Sequence, residues 1–205
     1  MIDSIISIIV DLSIVLGTIN PCIYGQYLEH VEPDEKIIYG GIFDKDSPLS
    51  DKYGIRKDVA ESLNRMKVPI IRWPGGCFAD TYHWKNGIGE IRIGHQNGHW
   101  GGWEPNLFGT DEYLHLCNLL NTKTYICLNA GTGTAEEAAE WVEYCHGKGI
   151  NGGVWGIGNE MYGSWEAGSC SAEEYASRIM NFAQEIRDID QKAKLVAVGS
   201  PYMDW

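Results

Sequence analysis

The sharpest chemical signal in the sequence is the pair Asn159-Glu160, set in the run VWGIGNEMYGSW. A carboxyl among apolar and aromatic residues is desolvated, which favours its protonated form. That is the form a general acid needs to protonate a leaving oxygen such as that of a glycosidic bond. The adjacent Asn159 is able to donate a hydrogen bond to a sugar hydroxyl near the reacting carbon. A Gly-Asn turn with an exposed glutamate is the plainer alternative. Glu29 closes another apolar run, CIYGQYLEH; by itself it reads as a solvated acid, and His30 beside it as a structural partner rather than a base. WPGGCFADTYHW places two glycines and Cys77 after a β-branched run, a composition that permits close backbone approach and a strained turn. Phe78 and Trp84 within it read as core aromatics. Between Trp84 and Phe108 lie 23 residues rich in Gly, His, Asn and Trp, and a loop of that length in a compact domain is usually functional or disordered. Trp100 and Trp103 there are able to stack on a sugar face. His95 and His99 raise the question of a metal, but no third ligand has helpful spacing. No metal and no cofactor is the expectation.

These residues need a scaffold, and the pattern around them supplies one. Short apolar runs alternate with helical stretches: CIYGQYLEH, VPIIRWPGG, TYICLNAGTGT, GGVWGIGNE and KLVAVGS read as strands. DKYGIRKDVAESLNRMK has apolar residues at Ile55, Val59, Leu63 and Met66, the spacing of one helix face. TDEYLHLCNLLN opens with Thr110 in the N-cap position, Thr134 caps AEEAAEWVEYCH, and SAEEYASRIMNFAQEIRDID is a further capped helix. Such alternation requires parallel strands joined by helical crossovers, with both faces of the sheet covered. A doubly wound sheet or a (β/α)8 barrel satisfies it. The first strand-to-helix turn lacks Gly-x-Gly-x-x-Gly, and the polar residues fall just past successive strand ends, where barrel enzymes carry their sites. The expected fold is therefore α/β, of the (β/α)8 TIM-barrel type, with only five of eight strands in these 205 residues.

Composition limits the partners. Sixteen Lys plus Arg against 28 Asp plus Glu give a net charge of −12, which repels phosphate backbones and argues against nucleic acid and anionic membranes. Six cysteines without a Cys-x-x-Cys pair read as reduced thiols in a cytoplasmic protein. The apolar start, IISIIVDLSIVLGTI, carries Asp3 and Asp11 and lacks a basic flank and a cleavage site. It reads as a strand with its turn in a soluble, unexported chain.

Taken in order, IYGQYLEH, IYGGIFD, IRWPGGCFADTYHWKNGIG, EPNLFGTDEYL, LNAGTGTAEEAAEWVEYC and WGIGNEMYGSW resemble the α-L-arabinofuranosidases of glycoside hydrolase family 51. The resemblance implies a (β/α)8 barrel with a β-sandwich, and retaining, double-displacement removal of α-L-arabinofuranosyl groups from arabinan, arabinoxylan or their oligosaccharides. It also implies a protein that is often intracellular and, at full length, a homo-oligomer. By motif, Glu160 matches the general acid/base and Asn159 the neighbour that binds the 2-hydroxyl. Glu29 matches the glutamate on the first barrel strand that holds sugar hydroxyls. Cys77 falls where Asn or Cys lines the pocket, and Trp100 matches a loop Trp that shapes it. Residues 1–18 resemble the strand lent to the β-sandwich, leaving 19–205 as a partial barrel. The connection between Tyr144 and Gly158 is shorter than the family's. The nucleophilic glutamate comes from the family's seventh strand, which these residues lack. Glu104 and Glu166 are poor substitutes because neither sits on a barrel strand. A carbohydrate-binding remnant without turnover is the rival expectation.

Overall fold

The computed structural model of the chain describes residues 8, 11–31, 37–201 and 205. Five strands, β1 (Gln26–Tyr27), β2 (Ile70–Trp73), β5 (Lys123–Leu128), β6 (Val154–Ile157) and β7 (Lys194–Ala197), form one sheet. Every pairing in it is parallel. The spatial order follows the chain order and never reverses, so the sheet has no topological switch point of the doubly wound kind. Helices α1 (Lys57–Met66), α2 (Thr110–Leu120), α3 (Ala135–Gly147) and α4 (Ala172–Ile189) make the crossovers. The remaining strands, β3 (His95–Gln96) and β4 (Trp103–Glu104), pair antiparallel as a separate ribbon.

The central strands β2, β5 and β6 are almost wholly buried, as apolar runs covered on both faces should be. The outer strands depart from that expectation: β1 is exposed and β7 is exposed at three of its four positions. Each pairs on one side only among the described residues. β1 is shorter than the run CIYGQYLEH suggests, because Pro21–Tyr24 turn as a 3₁₀ helix first. Its ladder nonetheless continues past Tyr27, with Leu28 N–H donating to Arg72 O at 2.8 Å and His30 N–H to Pro74 O at 3.1 Å. That continuation carries Glu29 up to the end of β2.

The helix signals held with two local shifts. Thr134 caps α3 by accepting from Glu137 N–H, and Ser171 and Glu174 form a reciprocal box at the start of α4. At α2, however, Gly109 is the N-cap and Thr110 the first helical residue. The Thr110 hydroxyl accepts from Trp141 Nε1 at 2.9 Å instead. The Glu112 carboxylate accepts from Gly109 N–H at 2.9 Å. A Cβ on Gly109 would come within 1.7 Å of Gly87 O, so no larger cap fits. Along the α1 face Ile55 is fully buried and Val59 and Leu63 pack on the core, but Met66 is exposed where the helix ends.

Between the sheet and α2 and α3 lies an aromatic layer. Trp73 stacks on Tyr113 with centroids 4.9 Å apart, meets Tyr82 and Trp141 edge-on, and Trp141 stacks on Trp84. All six cysteines are free. No described helix is long and apolar enough to cross a membrane. Half of the strand expected over residues 1–18 falls outside the described residues. Within it, Ser13 donates to Asp11 Oδ1 through its amide and hydroxyl, closing a turn, and residues 14–18 carry no strand pairing.

Candidate active site

Strands β1, β2 and β6 deliver polar side chains just beyond their C-terminal ends, and there they meet. Glu29, two residues after β1, is buried. Its Oε1 accepts from Gly76 N–H at 2.9 Å, from Trp100 Nε1 at 3.1 Å and more weakly from Phe78 N–H at 3.4 Å. Its Oε2 accepts the Tyr27 hydroxyl at 2.5 Å. Burial, followed by this carboxylate, pushes the Tyr27 phenol far above its ordinary value. The two glycines after cis-Pro74 explain the close fit. A Cβ on Gly75 would lie 2.7 Å from Glu29 Cγ, and one on Gly76 2.6 Å from the Tyr27 oxygen. The sequence WPGG is thus a socket for a carboxylate from the neighbouring strand.

Trp100 reaches that carboxylate from the loop expected to be functional. The loop is organised by the β3–β4 ribbon, whose turn is held by Asn97: its Oδ1 accepts from His99 and Trp100 N–H, and its Nδ2 donates to His30 O. Trp103, the other loop tryptophan considered as a sugar platform, is exposed. His30 has the structural role expected. It is buried, accepts from Trp73 Nε1 at 3.0 Å, and its Nδ1 lies 2.8 Å from Glu104 Oε2. Although burial opposes ionisation of Glu104, His30 and the hydroxyl of Tyr39 hold its carboxyl below the usual range.

Asn159 and Glu160 follow β6. Asn159 is buried, and its amide is held from both ends: Oδ1 accepts from Arg72 Nη2 at 3.0 Å and Nδ2 donates to Glu166 Oε1 at 2.9 Å, leaving one N–H and one lone pair. Its Nδ2 also lies 3.9 Å from Cys77 Sγ. Arg72 is the lone charge in β2 and is flanked by the rings of Tyr27 and Tyr125, at 5.3 and 5.7 Å. Glu160 stands at the rim, half-buried, with Oε2 accepting from Trp165 Nε1 at 3.1 Å. Its backbone φ is +40°, a left-handed conformation that a residue with a side chain adopts only under constraint. A groove of about 270 Å³ opens beside it, lined by Arg72, Tyr125, Asn159, Glu160, Tyr162 and Val198 among others. Cys77 sits among the acids: burial, then Glu166, and further Glu29 and Glu160, all push its thiol upward.

Two participants take their place only through the fold: Asp80, which the sequence did not single out, and Glu166, which it offered only as a replacement nucleophile. Asp80, fully buried, accepts from Asn159 N–H at 2.9 Å and Ala130 N–H at 3.2 Å. It thereby ties the loops after β5 and β6 to the short helix Cys77–Thr81. Burial, reinforced by nearby Glu166, pushes its carboxyl up to about 7. Glu166 is buried beneath Asn159, and its Oε2 has no hydrogen-bond partner. The sequence hints were the acid within the aromatic run CFADTYHW and the charge within IIRW, which become informative only once the strands are aligned. The two acids considered as replacement nucleophiles are both engaged. Glu104 is locked to His30, Tyr39 and the amide of Asn106, and Glu166 lies under the amide of Asn159.

Comparison with known proteins places this arrangement in company. The family model described as alpha-L-arabinofuranosidase 1 domain matches residues 62–203. Alpha-L-arabinofuranosidase C of Emericella nidulans is 41% identical over 202 residues, covering 90% of this chain and 40% of the relative. The intracellular exo-alpha-L-arabinofuranosidase of Bacteroides ovatus is 41% identical, over 89% of this chain and 38% of its own. Among solved structures, the arabinose complex of α-L-arabinofuranosidase from Thermotoga maritima superposes with a TM-score of 0.80 at 42% identity. It covers 86% of this chain and 40% of that one. The GH51 enzyme of Thermotoga petrophila gives a TM-score of 0.80 at 41% identity, with the same coverage. The chain thus spans about 40% of the length of the relatives it matches.

Proposed function

Since the chain belongs to the α-L-arabinofuranosidase family, we propose that it is the sugar-holding and proton-donating part of a retaining α-L-arabinofuranosidase acting on arabinose-containing oligosaccharides or polysaccharides. Its five parallel strands in unreversed order are then consecutive strands of a (β/α)8 barrel, with residues 1–18 serving an accessory β-sandwich. The single observation that carries the reading is the convergence of Glu29, Cys77, Trp100 and Asn159 past the strand ends, with Glu160 at the rim of the adjoining groove.

In this reading the hydroxyls of an arabinofuranosyl ring are held by Glu29, whose Oε1 is fixed by a backbone amide and an indole N–H. Asn159 meets the 2-hydroxyl, oriented for it by Arg72 and Glu166. Cys77 and Trp100 shape the pocket wall. Glu160 gives its proton to the glycosidic oxygen as the anomeric bond breaks, then takes one from the water that releases the sugar. The attacking carboxylate, which must stand about 5–5.5 Å from Glu160, comes from a strand beyond those present here. The full-length protein is proposed as a cytoplasmic homo-oligomer, in line with the intracellular relative.

A second reading has one observation in its favour. Glu104 and Glu166 are both committed to structural contacts, so this chain by itself binds arabinose without cleaving it. Hydrolysis of an aryl α-L-arabinofuranoside by the purified 205-residue chain, beside Glu160→Gln and with L-arabinose binding measured in parallel, separates the cases. Binding without turnover is the expected result. Turnover abolished by Glu160→Gln would place a nucleophile within the chain or its oligomer. A folded chain that binds no arabinose would sink the sugar pocket.

A further inference from the structure

The feature that the sugar-binding roles leave unexplained is a trio drawn from three separate segments. One ligand atom each from Cys77, His99 and Glu166 lies within 4.8 Å of the other two. Cys77 follows β2, His99 belongs to the turn of the β3–β4 ribbon, and Glu166 lies in the loop after β6. Spacing along the chain gave His99 no third ligand; the fold supplies two partners. We infer that Cys77, His99 and Glu166 form a binding site for one divalent cation of the zinc type, inside the pocket assigned to the sugar.

Four observations carry this. First, thiolate, imidazole and carboxylate together are a donor set suited to zinc and not to magnesium or calcium, which want oxygen ligands throughout. Second, Glu166 is 4% exposed, yet its Oε2 has no hydrogen-bond partner. A buried carboxylate oxygen left unpaired is costly, and a cation removes that penalty. Third, no hydrogen bond occupies the ring nitrogens of His99 among the described residues; it is the His99 amide that is held, by Asn97 Oδ1 at 3.1 Å. Its ring packs edge-on against Trp100, 4.8 Å between centroids, which leaves it rotatable on an anchored backbone. Fourth, the buried Glu29 carboxylate accepts from Gly76 N–H and Trp100 Nε1, the residues next to Cys77 and His99, so a second carboxylate stands beside the trio and favours a cation there.

Metal–ligand lengths of about 2.0–2.3 Å bring tetrahedral donors to about 3.5 Å from one another. The trio therefore has to close by about an ångström on binding, and Cys77 and His99, both only half-buried, can rotate to do it. Coordination expels the Cys77 thiol proton to the buffer, because the thiolate is the ligand. The trio supplies three ligands, so water would take the fourth position. Because the trio includes Cys77, which the proposed function places against the sugar, zinc and arabinose exclude one another; that corollary, unlike the metal site itself, rests on the arabinofuranosidase reading.

The test is calorimetric titration of the 205-residue chain with Zn²⁺ in two buffers of different ionisation enthalpy, paired with Co²⁺ absorption spectra. One zinc per chain, about one proton released and a thiolate-to-cobalt charge-transfer band are expected. His99→Ala and Cys77→Ser should each weaken zinc at least tenfold, and Cys77→Ser should abolish the band. A Cys22→Ser variant should bind as the parent does, and near-UV circular dichroism checks that each variant folds. Absence of binding, unchanged affinity in His99→Ala and Cys77→Ser, or cobalt bound without the band would overturn the site. Zinc that binds as expected but is not displaced by L-arabinose would uphold the metal site and count against the sugar pocket.

Discussion

The two ends of the parallel sheet make an instructive pair. At the N-terminal ends of the strands lies the roomier cavity, about 590 Å³, lined by Asn118, Asn121, Lys123, Lys148, Asn151 and Lys194 among others. The groove at the C-terminal ends is about 270 Å³. Volume alone would choose the wrong end. At the lower end the buried acid is Asp190, and it caps backbone, accepting from Gly152 and Lys192 N–H. At the upper end Glu29, Asn159 and Glu166 are buried and engage side chains, Glu29 that of Trp100 in the turn of the ribbon, Asn159 that of Arg72 on β2 and Glu166 that of Asn159. A cavity is a gap between elements, whereas a site is where buried polar groups from several elements converge and are held in fixed directions. Parallel strands bring their loops together at one end, and there the convergence is found.

The contrast can be tested by breaking each end in turn. Asp80 underpins the upper end, so Asp80→Ala is expected to have the largest effect. Its loss leaves the amides of Ala130 and Asn159 unpaired, a destabilisation of roughly 3 kcal/mol by urea unfolding. Because burial raises its carboxyl to about 7 in the fold, against about 3.9 in the unfolded chain, the folded state holds the proton more tightly. This contribution to stability is therefore complete below about pH 4. It declines as pH rises towards 7, by at most about 1.4 kcal/mol per unit. Asp80→Asn should flatten that dependence of the urea midpoint on pH; an unchanged slope would show that Asp80 ionises as in solution.

A smaller effect is expected at the socket. Gly75→Ala drives a methyl group into Glu29, and arabinose affinity should fall at least tenfold while the chain stays folded, as read by calorimetry and circular dichroism. Retained affinity would mean that Glu29 does not need its present position. The smallest effect belongs to the lower end. Lys123 is exposed there, and Lys123→Ala should leave arabinose binding unchanged and shift stability by no more than about 0.5 kcal/mol. A binding defect from that substitution would erase the distinction between the two ends.

Local signals in the sequence were enough for the scaffold. Caps at Thr134 and Ser171 and the apolar runs of β2, β5 and β6 are written within a few neighbouring residues, and they form as read. Thr110 shows where locality ends: its hydroxyl is taken by Trp141, 31 residues away, and the cap moves to Gly109. The β3–β4 ribbon was invisible for a similar reason, since two-residue strands have no periodicity to detect. At the site, Asn159-Glu160 stood out because both residues fall together after one strand. Asp80, Glu166 and Arg72 acquire meaning only through partners 79, 7 and 87 residues distant, and no local pattern encodes that.

The left-handed backbone of Glu160 has a consequence for how such a protein ages under mutation. A glycine there would relax the strain and, in the proposed role of Glu160, give a sounder fold without its proton donor. Under the proposed function, stability therefore pulls substitution at this position one way and turnover the other, and selection for turnover is what would keep a glutamate where the backbone favours a glycine.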